Sequence, residues 1–167
     1  MRISWGQPIY LVKSKIVTAY HTKFQSLLST DVFPKLRTYR LFKSKFEMEN
    51  YLWLQIPRYR VSLARLGTSS HDLEIERGRY TIPKTPAELR VCRQCNSNMV
   101  EDEVHFLMEC ARHESLRENL LDVASRHIKI FYMLCHKGKF CALLSSENDM
   151  VPFALARFSH LAFRNRI

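Results

Sequence analysis

Three of the five cysteines and one histidine fall within nineteen residues, in the stretch CRQCNSNMVEDEVHFLMEC from Cys92 to Cys110. The spacing is C-x2-C-x9-H-x4-C. Cys92 and Cys95, three positions apart, form a small turn that aims both sulfurs at one point, and His105 and Cys110 then complete a tetrahedron. Residues five apart in a regular α-helix point about 140° away from each other. The His105–Cys110 pair therefore requires an irregular turn, or a helix that starts inside the interval. An imidazole among three thiolates suits zinc better than an iron–sulfur cluster. Four protein donors leave no open coordination position, so one structural Zn2+ is expected rather than a catalytic ion. The competing reading is three buried free cysteines and a core histidine, because cysteine is among the most buried residue types.

Other chemistry is sparse. The chain contains no GxGxxG, GxxxxGK[ST], HExxH or GxSxG motif, and no aspartate pair suggests a two-metal phosphoryl-transfer site. Cys135, His136 and Cys141 lack a fourth donor at useful spacing and read as core or surface thiols. His71 and His113 read as solvated or hydrogen-bonded residues. Asp72, Glu74 and Glu76 lie close together, with Glu74 and Glu76 expected on the solvent face of a strand. No enzymatic activity is expected.

The elements that must position the cluster read as mainly α. Four glycines in 167 residues leave little material for tight hairpins. Residues 10–28 place Ile16, Val17, Tyr20, Phe24, Leu27 and Leu28 at helical spacing, and Ser29, Thr30, Asp31 and Pro34 end that helix. Residues 35–42 read as a basic, aromatic segment, either an extended lead-in or a first helical turn, and 43–56 as a helix with Phe46, Tyr51, Leu52 and Leu54 toward the core. Pro57 opens the next helix, and Gly67 to His71 form a turn. Leu73 and Ile75 alternating with Glu74 and Glu76 predict a short strand near 72–82. A helix with Leu116, Leu120, Leu121 and Val123 on one face follows the cysteines. The last helix carries Phe153, Ala156, Leu161 and Phe163 on its apolar side. The fold class is thus a small helical domain with a short β segment and a CCHC zinc knuckle. Its segments are a basic helical part (1–90), the knuckle with the following helix (91–126) and a C-terminal helical part (127–167), together one compact unit.

The net charge of +10 is unevenly spread. Residues 1–90 carry sixteen Lys/Arg against seven Asp/Glu, whereas residues 91–167 carry ten against nine. A polyanion is drawn to the first half, where Lys13, Lys15, Lys23, Lys35, Arg37, Arg40, Lys43 and Lys45 fall close together. Lys35, Arg37, Arg40, Lys43 and Lys45 are the candidate phosphate contacts, with Arg77, Arg79, Arg90 and Arg93 as a second group beside the cysteines. Tyr39 and Phe42 would stack on unpaired bases if exposed, or pack in the core. No secretion signal is apparent, and no apolar run approaches the roughly 20 residues of a membrane span. An intracellular, reducing setting is expected, in which clustered cysteines suggest metal more than disulfides.

Two stretches carry a family resemblance. SSHDLEIERGRYTIPKTPAELRVCRQC followed by VEDEVHFLMECARHESLRENLL resembles the C-terminal region of non-LTR (LINE-type) retrotransposon reverse transcriptases. KLRTYRLFKSKFEMENYLWLQIPRYRVSLARL is similar to the lead-in from the polymerase thumb, and KFCALLSSENDMVPFALARFSHLAFRNR to the closing helix of such reading frames. The resemblance implies a CCHC zinc module at Cys92, Cys95, His105 and Cys110 that binds RNA or DNA during target-primed reverse transcription. The polymerase fingers and palm and any endonuclease are absent from these residues, so polymerase activity does not carry over. Alternatives are a zinc-stabilised protein-interaction scaffold and a decayed element product with no function. Neither a membrane nor a small-molecule substrate is expected as a partner.

Overall fold

A computed structural model describes residues 6–29, 36–43 and 45–166, with side chains from Tyr10 onward. The chain is mainly helical. Helix α1 (Gly6–Ser29) is followed by α2 (Arg37–Phe42), α3 (Pro57–Gly67) and the single turn α4 (Glu74–Arg77). Then come α5 (Glu114–His127), α6 (His136–Leu144) and α7 (Met150–Arg164). Among the described residues the β structure is one antiparallel bridge, Val91 to Val100, and no helix is long and apolar enough to cross a membrane.

Helix α7 is the central element, packed against α3, α5 and α6. Val151, Leu155, Phe158 and Ala162 recur at helical spacing and are fully or almost fully buried, which places one continuous stripe of α7 in the core. Its last turn carries Arg164, the charge that suits a helix C-terminus. Helix α3 begins at Pro57, whose missing N–H costs nothing in the first turn, and lays Tyr59, Leu63 and Leu66 on the same core. Helix α5 adds Leu120 and Ala124. The apolar cluster draws on all three sequence segments.

Several expectations change. The segment 72–82 is not a strand: Leu73 caps α4, and turns follow it. Both Leu73 and Ile75 are buried, but so are Glu74 and Glu76, so the alternation does not separate a wet face from a dry one. A distant residue supplies the reason. Glu101 accepts the Glu74 N–H on Oε2 at 2.8 Å and the Ile75 N–H on its backbone carbonyl at 3.2 Å. These are the orphan amides of a helix N-terminus, satisfied from outside.

Residues 43–56 also fail to form a regular helix. Lys43 donates to the Glu47 carbonyl at 2.7 Å and pairs with Glu49 at 2.6 Å, which folds the segment into a tight loop before a 3-10 turn at Asn50–Trp53. Tyr51 is buried as expected, whereas Phe46 and Leu52 are exposed. Phe46 instead meets the rings of His21 and Phe24 on α1 at 5.1 and 5.2 Å. Residues 37–42 form α2, so the helical one of the two expectations for this segment holds and the extended lead-in does not. Helix α1 runs as expected to Ser29, while Thr30, Asp31 and Pro34 of its stop signal lie outside the described residues. Ile16, Val17 and Tyr20 on its apolar face remain exposed. On α7 the buried stripe is rotated from the expected one: Ala156 is buried, but Phe153 is exposed.

Candidate metal centre

Cys92, Cys95, His105 and Cys110 converge, with their ligand atoms all within 4.8 Å of one another. Cys92 Sγ lies 3.9 Å from Cys110 Sγ, and Cys95 Sγ lies 3.4 Å from His105 Nε2. The four side chains are close enough to bind one metal ion. Cys92, His105 and Cys110 are buried and Cys95 is half-buried.

Local structure explains the convergence. The loop that carries the first two donors is closed by the Cys92 N–H donating to the Met99 carbonyl at 2.8 Å, beside the Val91–Val100 bridge. Asn98, inside it, adopts a positive φ of 55°, which asparagine tolerates in a tight turn. The Gln94 N–H donates to Cys92 Sγ at 3.4 Å, orienting the sulfur inward.

At the other end, residues His105–Glu109 form a π-helical turn. The Cys110 N–H closes it on the His105 carbonyl at 2.8 Å, an i→i+5 bond that brings the fifth residue back over the first. Of the two options that the x4 spacing left, this is the irregular turn. Asp102 caps it by accepting the His105 N–H at 2.8 Å. Buried Arg117 on α5 fastens its far end, donating to the carbonyls of Leu107 at 2.8 Å and Cys110 at 2.5 Å. Phe106 is fully buried, stacking on Phe163 at 4.8 Å and meeting Phe158 edge-on, so the turn is rooted in the α7 core.

A second layer surrounds the donors. His105 Nδ1 faces Glu109 Oε2 at 3.4 Å, and Glu109 Oε1 faces His136 Nδ1 of α6 at 2.9 Å. With Nε2 pointing into the cluster and Nδ1 toward a carboxylate, His105 has the arrangement of a ligating histidine whose tautomer and ring plane are fixed. Behind Cys92, the thiol donates to Glu101 Oε1 at 3.4 Å. Arg166 grips both Glu101 oxygens, with Nη2 at 2.9 Å from Oε2. Burial pushes the Cys92 thiol well up and raises the Cys110 thiol too. Burial also raises Cys95, but hydrogen bonds from the Ser97 hydroxyl and N–H and from His105 outweigh it and bring this thiol down to about 6.

Of the nine residues read as phosphate contacts, most have partners inside the fold. Arg37 bridges Glu76 at 3.0 Å and Glu103 at 2.5 Å, and Arg79 pairs with Glu76 at 3.1 Å. Lys43 pairs with Glu49. Arg90 donates to the carbonyls of Ile75 at 2.7 Å and Thr85 at 2.8 Å. Arg77 and Arg93 pair with Glu74 at 3.2 and 3.4 Å, yet their side chains are 57% and 71% exposed and face solvent. Lys45 is exposed, Arg40 is half-buried and Lys35 lies outside the described residues. Tyr39 donates to Glu49 Oε1 at 2.8 Å, and its ring meets Phe42 edge-on. Glu74 and Glu76 are therefore buried counter-ions to arginine and not a solvated edge.

Sequence reasoning missed a buried carboxylate hub. Glu103 accepts from Arg37, from the Ser69 hydroxyl at 2.9 Å and from His71 Nε2 at 2.9 Å. Burial raises its carboxyl, but the bond to His71 and the charge of Arg37 outweigh this and hold it down at about 2. Nothing local marks Glu103 as special, because Arg37 is 66 positions away. Glu109 was more accessible to reasoning, since it lies four residues from His105 in the same turn. His71 is buried and hydrogen-bonded, as one of its two expected readings had it.

His113 is fully buried, and neither ring nitrogen has a hydrogen-bond partner. It meets the rings of Phe106 and Phe158 edge-on. Burial first, then Arg166 and Arg117, lower its pKa to about 4, against a small opposing effect of Glu101. The ring is neutral at pH 7 in both folded and unfolded chains, so it adds no pH dependence there. Below about 6.5 the unfolded chain takes up a proton that the fold refuses, so stability falls until the pH reaches about 4. At pH 4.5 this difference amounts to roughly 2–3 kcal/mol. His113→Leu is expected to gain about that much relative to the parent between pH 7 and pH 4.5 in urea titrations. A parent–variant difference that stays constant over this range would rule out the buried neutral imidazole as the cause.

Comparison with known proteins returns no matching family model, no matching curated protein and no matching solved structure.

Proposed function

We propose that the chain is a non-enzymatic helical module, stabilised by one structural zinc in a CCHC knuckle, that binds RNA or DNA as part of a LINE-type retrotransposon reverse transcriptase or as its remnant. The single observation that carries the reading is the convergence of Cys92, Cys95, His105 and Cys110. A tetrahedral zinc with Zn–S of about 2.3 Å and Zn–N of about 2.0–2.1 Å requires sulfurs about 3.8 Å apart and sulfur–nitrogen distances of about 3.6 Å. The observed 3.9 and 3.4 Å fit that requirement. The carboxylate of Glu109 behind His105 adds the outer layer that such ligands use. Four protein donors leave the ion no position for water, so zinc here would supply folding energy and not a nucleophile.

Nucleic-acid binding rests on charge. With Arg37, Arg79 and Lys43 engaged internally, the phosphate contacts fall to exposed cations: Lys13, Lys15 and Lys23 on α1, Lys45, and Arg77 and Arg93 beside the cluster. Exposed Tyr10 and Tyr20 alternate with the α1 lysines and offer stacking faces. A few phosphate contacts predict that affinity for a single-stranded oligonucleotide falls on the order of a hundredfold between about 50 and about 200 mM salt. Lys13→Glu, Lys15→Glu and Lys23→Glu together should abolish most of that binding without lowering stability, because all three side chains are exposed. Binding that barely responds to salt, or that survives the triple substitution, would defeat the electrostatic picture. The exposed Ile16, Val17 and Tyr20 on the same helix favour the second reading, a protein-interaction module; salt-insensitive association with a protein partner would be its mark.

A further inference from the structure

We infer that Arg166 is a positioning residue for the metal centre, so that the end of α7 acts as a latch whose closure and metal binding strengthen each other. This rests on the reading of the four donors as a zinc site. Helix α7 ends at Arg164, and Asn165 closes its last turn by donating to the Leu161 carbonyl at 3.1 Å. Arg166 then turns back onto the cluster. Its guanidinium holds both oxygens of Glu101 and donates to the Asp72 carbonyl at 3.1 Å.

Glu101 is only 1% exposed, and Oε1 lies 3.4 Å from Cys92 Sγ. Its other oxygen accepts the Glu74 N–H, and its backbone bonds Arg90 and Ile75. The carboxylate is thus pinned and cannot swing away from the sulfur. While Cys92 is a thiol, it donates a hydrogen bond to Glu101. Once the sulfur ligates a metal it has no proton to give, and a thiolate and a carboxylate face each other at that distance in a dry site. Zn2+ offsets two of the three thiolate charges and the imidazole is neutral, so the loaded centre stays net negative and repels the carboxylate unless a further cation neutralises it. Arg166 is the cation bonded to Glu101, and a planar two-pronged guanidinium suits a carboxylate better than an ammonium does. Metal binding should therefore hold Arg166 more tightly, and Arg166 should hold the metal more tightly, by the reciprocity of linked equilibria.

The test uses the full chain and zinc alone, with affinity read by competition against a chromophoric chelator. Arg166→Ala is expected to weaken zinc binding roughly 10–100-fold, the usual scale for outer-layer partners. Arg166→Lys should fall between, and Arg164→Ala, an exposed neighbour, should match the parent. Adding Glu101→Gln to Arg166→Ala should restore much of the affinity, because it removes the uncompensated charge; a residue that merely supported the fold would not be rescued this way. Arg166→Ala that binds zinc like the parent, or that Glu101→Gln leaves unrescued, overturns the latch. A second measurement covers the case in which Arg166→Ala fails to fold. In the parent, hydrogen exchange at residues 161–166 should speed up when zinc is chelated, and unchanged protection there overturns the inference. A parent that binds no zinc would instead overturn the zinc reading itself.

Discussion

With Cys92, Cys95, His105 and Cys110 holding a structural zinc as proposed, its removal by a chelator is expected to unfold residues 90–112 and to loosen α4 with them. Structural zinc contributes roughly 10–16 kcal/mol of apparent binding free energy in small modules, as much as a domain's whole net stability. Phe106, Leu107 and Met108 are packed in the core, but fewer contacts hold the first half of this region. The loop from Cys92 to Met99 is held by one backbone bond pair beside a single bridge, and the His105–Glu109 turn is a π-turn, a geometry rarely kept without a reason. The first two amides of helix α4 are satisfied by Glu101, which moves with the cluster. By contrast α3, α5 and α7 share an extensive apolar interface and should persist. The expected pattern in hydrogen exchange is thus loss of protection at 74–77, at 90–112 and in the last turn of α7, with retention in the rest of the α3–α5–α7 core. Uniform protection with and without chelator would show that the cluster folds on packing alone.

Replacing the buried carboxylate hub has the second largest expected effect. Glu103→Gln should cost on the order of 3 kcal/mol at pH 7, because Arg37 and the buried His71 lose their anion. The pH dependence gives the charge away. Glu103 is held at about 2 in the fold against an ordinary value near 4.3. Its contribution is fully present above the unfolded value and is lost as the pH falls toward the folded one. Urea titrations of parent and Glu103→Gln should therefore converge as the pH drops from about 4.5 toward 2. A difference that stays the same down to pH 3 would assign the loss to packing and not to charge.

The cluster was legible because ligand chemistry fixes both residue type and spacing, and helix geometry alone narrowed the His105–Cys110 interval to an irregular turn or a helix start. Pro57 was legible as a helix start for the same local reason. Elements set by distant partners were not. Helix α4 reads as a strand because its cap, Glu101, lies 27 positions away. Arg37 reads as a phosphate contact because its counter-ions, Glu76 and Glu103, lie 39 and 66 positions away. The buried stripe of α7 could not be chosen from periodicity alone, since nearly every face of that helix offers an apolar residue. Its orientation comes from which neighbours supply a partner, as Phe106 does for Phe158 and Phe163. Arg166 carries no local signal at all; its role emerges only from the carboxylate it reaches, 65 positions back.

The central claim is that Cys92, Cys95, His105 and Cys110 together hold one zinc. Metal analysis of the purified full-length chain tests it most directly, run in parallel on Cys92→Ser and on Cys135→Ser, whose exposed thiol lies outside the cluster. The account predicts a single equivalent of zinc in the parent and in Cys135→Ser, and loss of most of it in Cys92→Ser. A folded parent free of metal, or a Cys92→Ser chain that keeps a full equivalent, would contradict it.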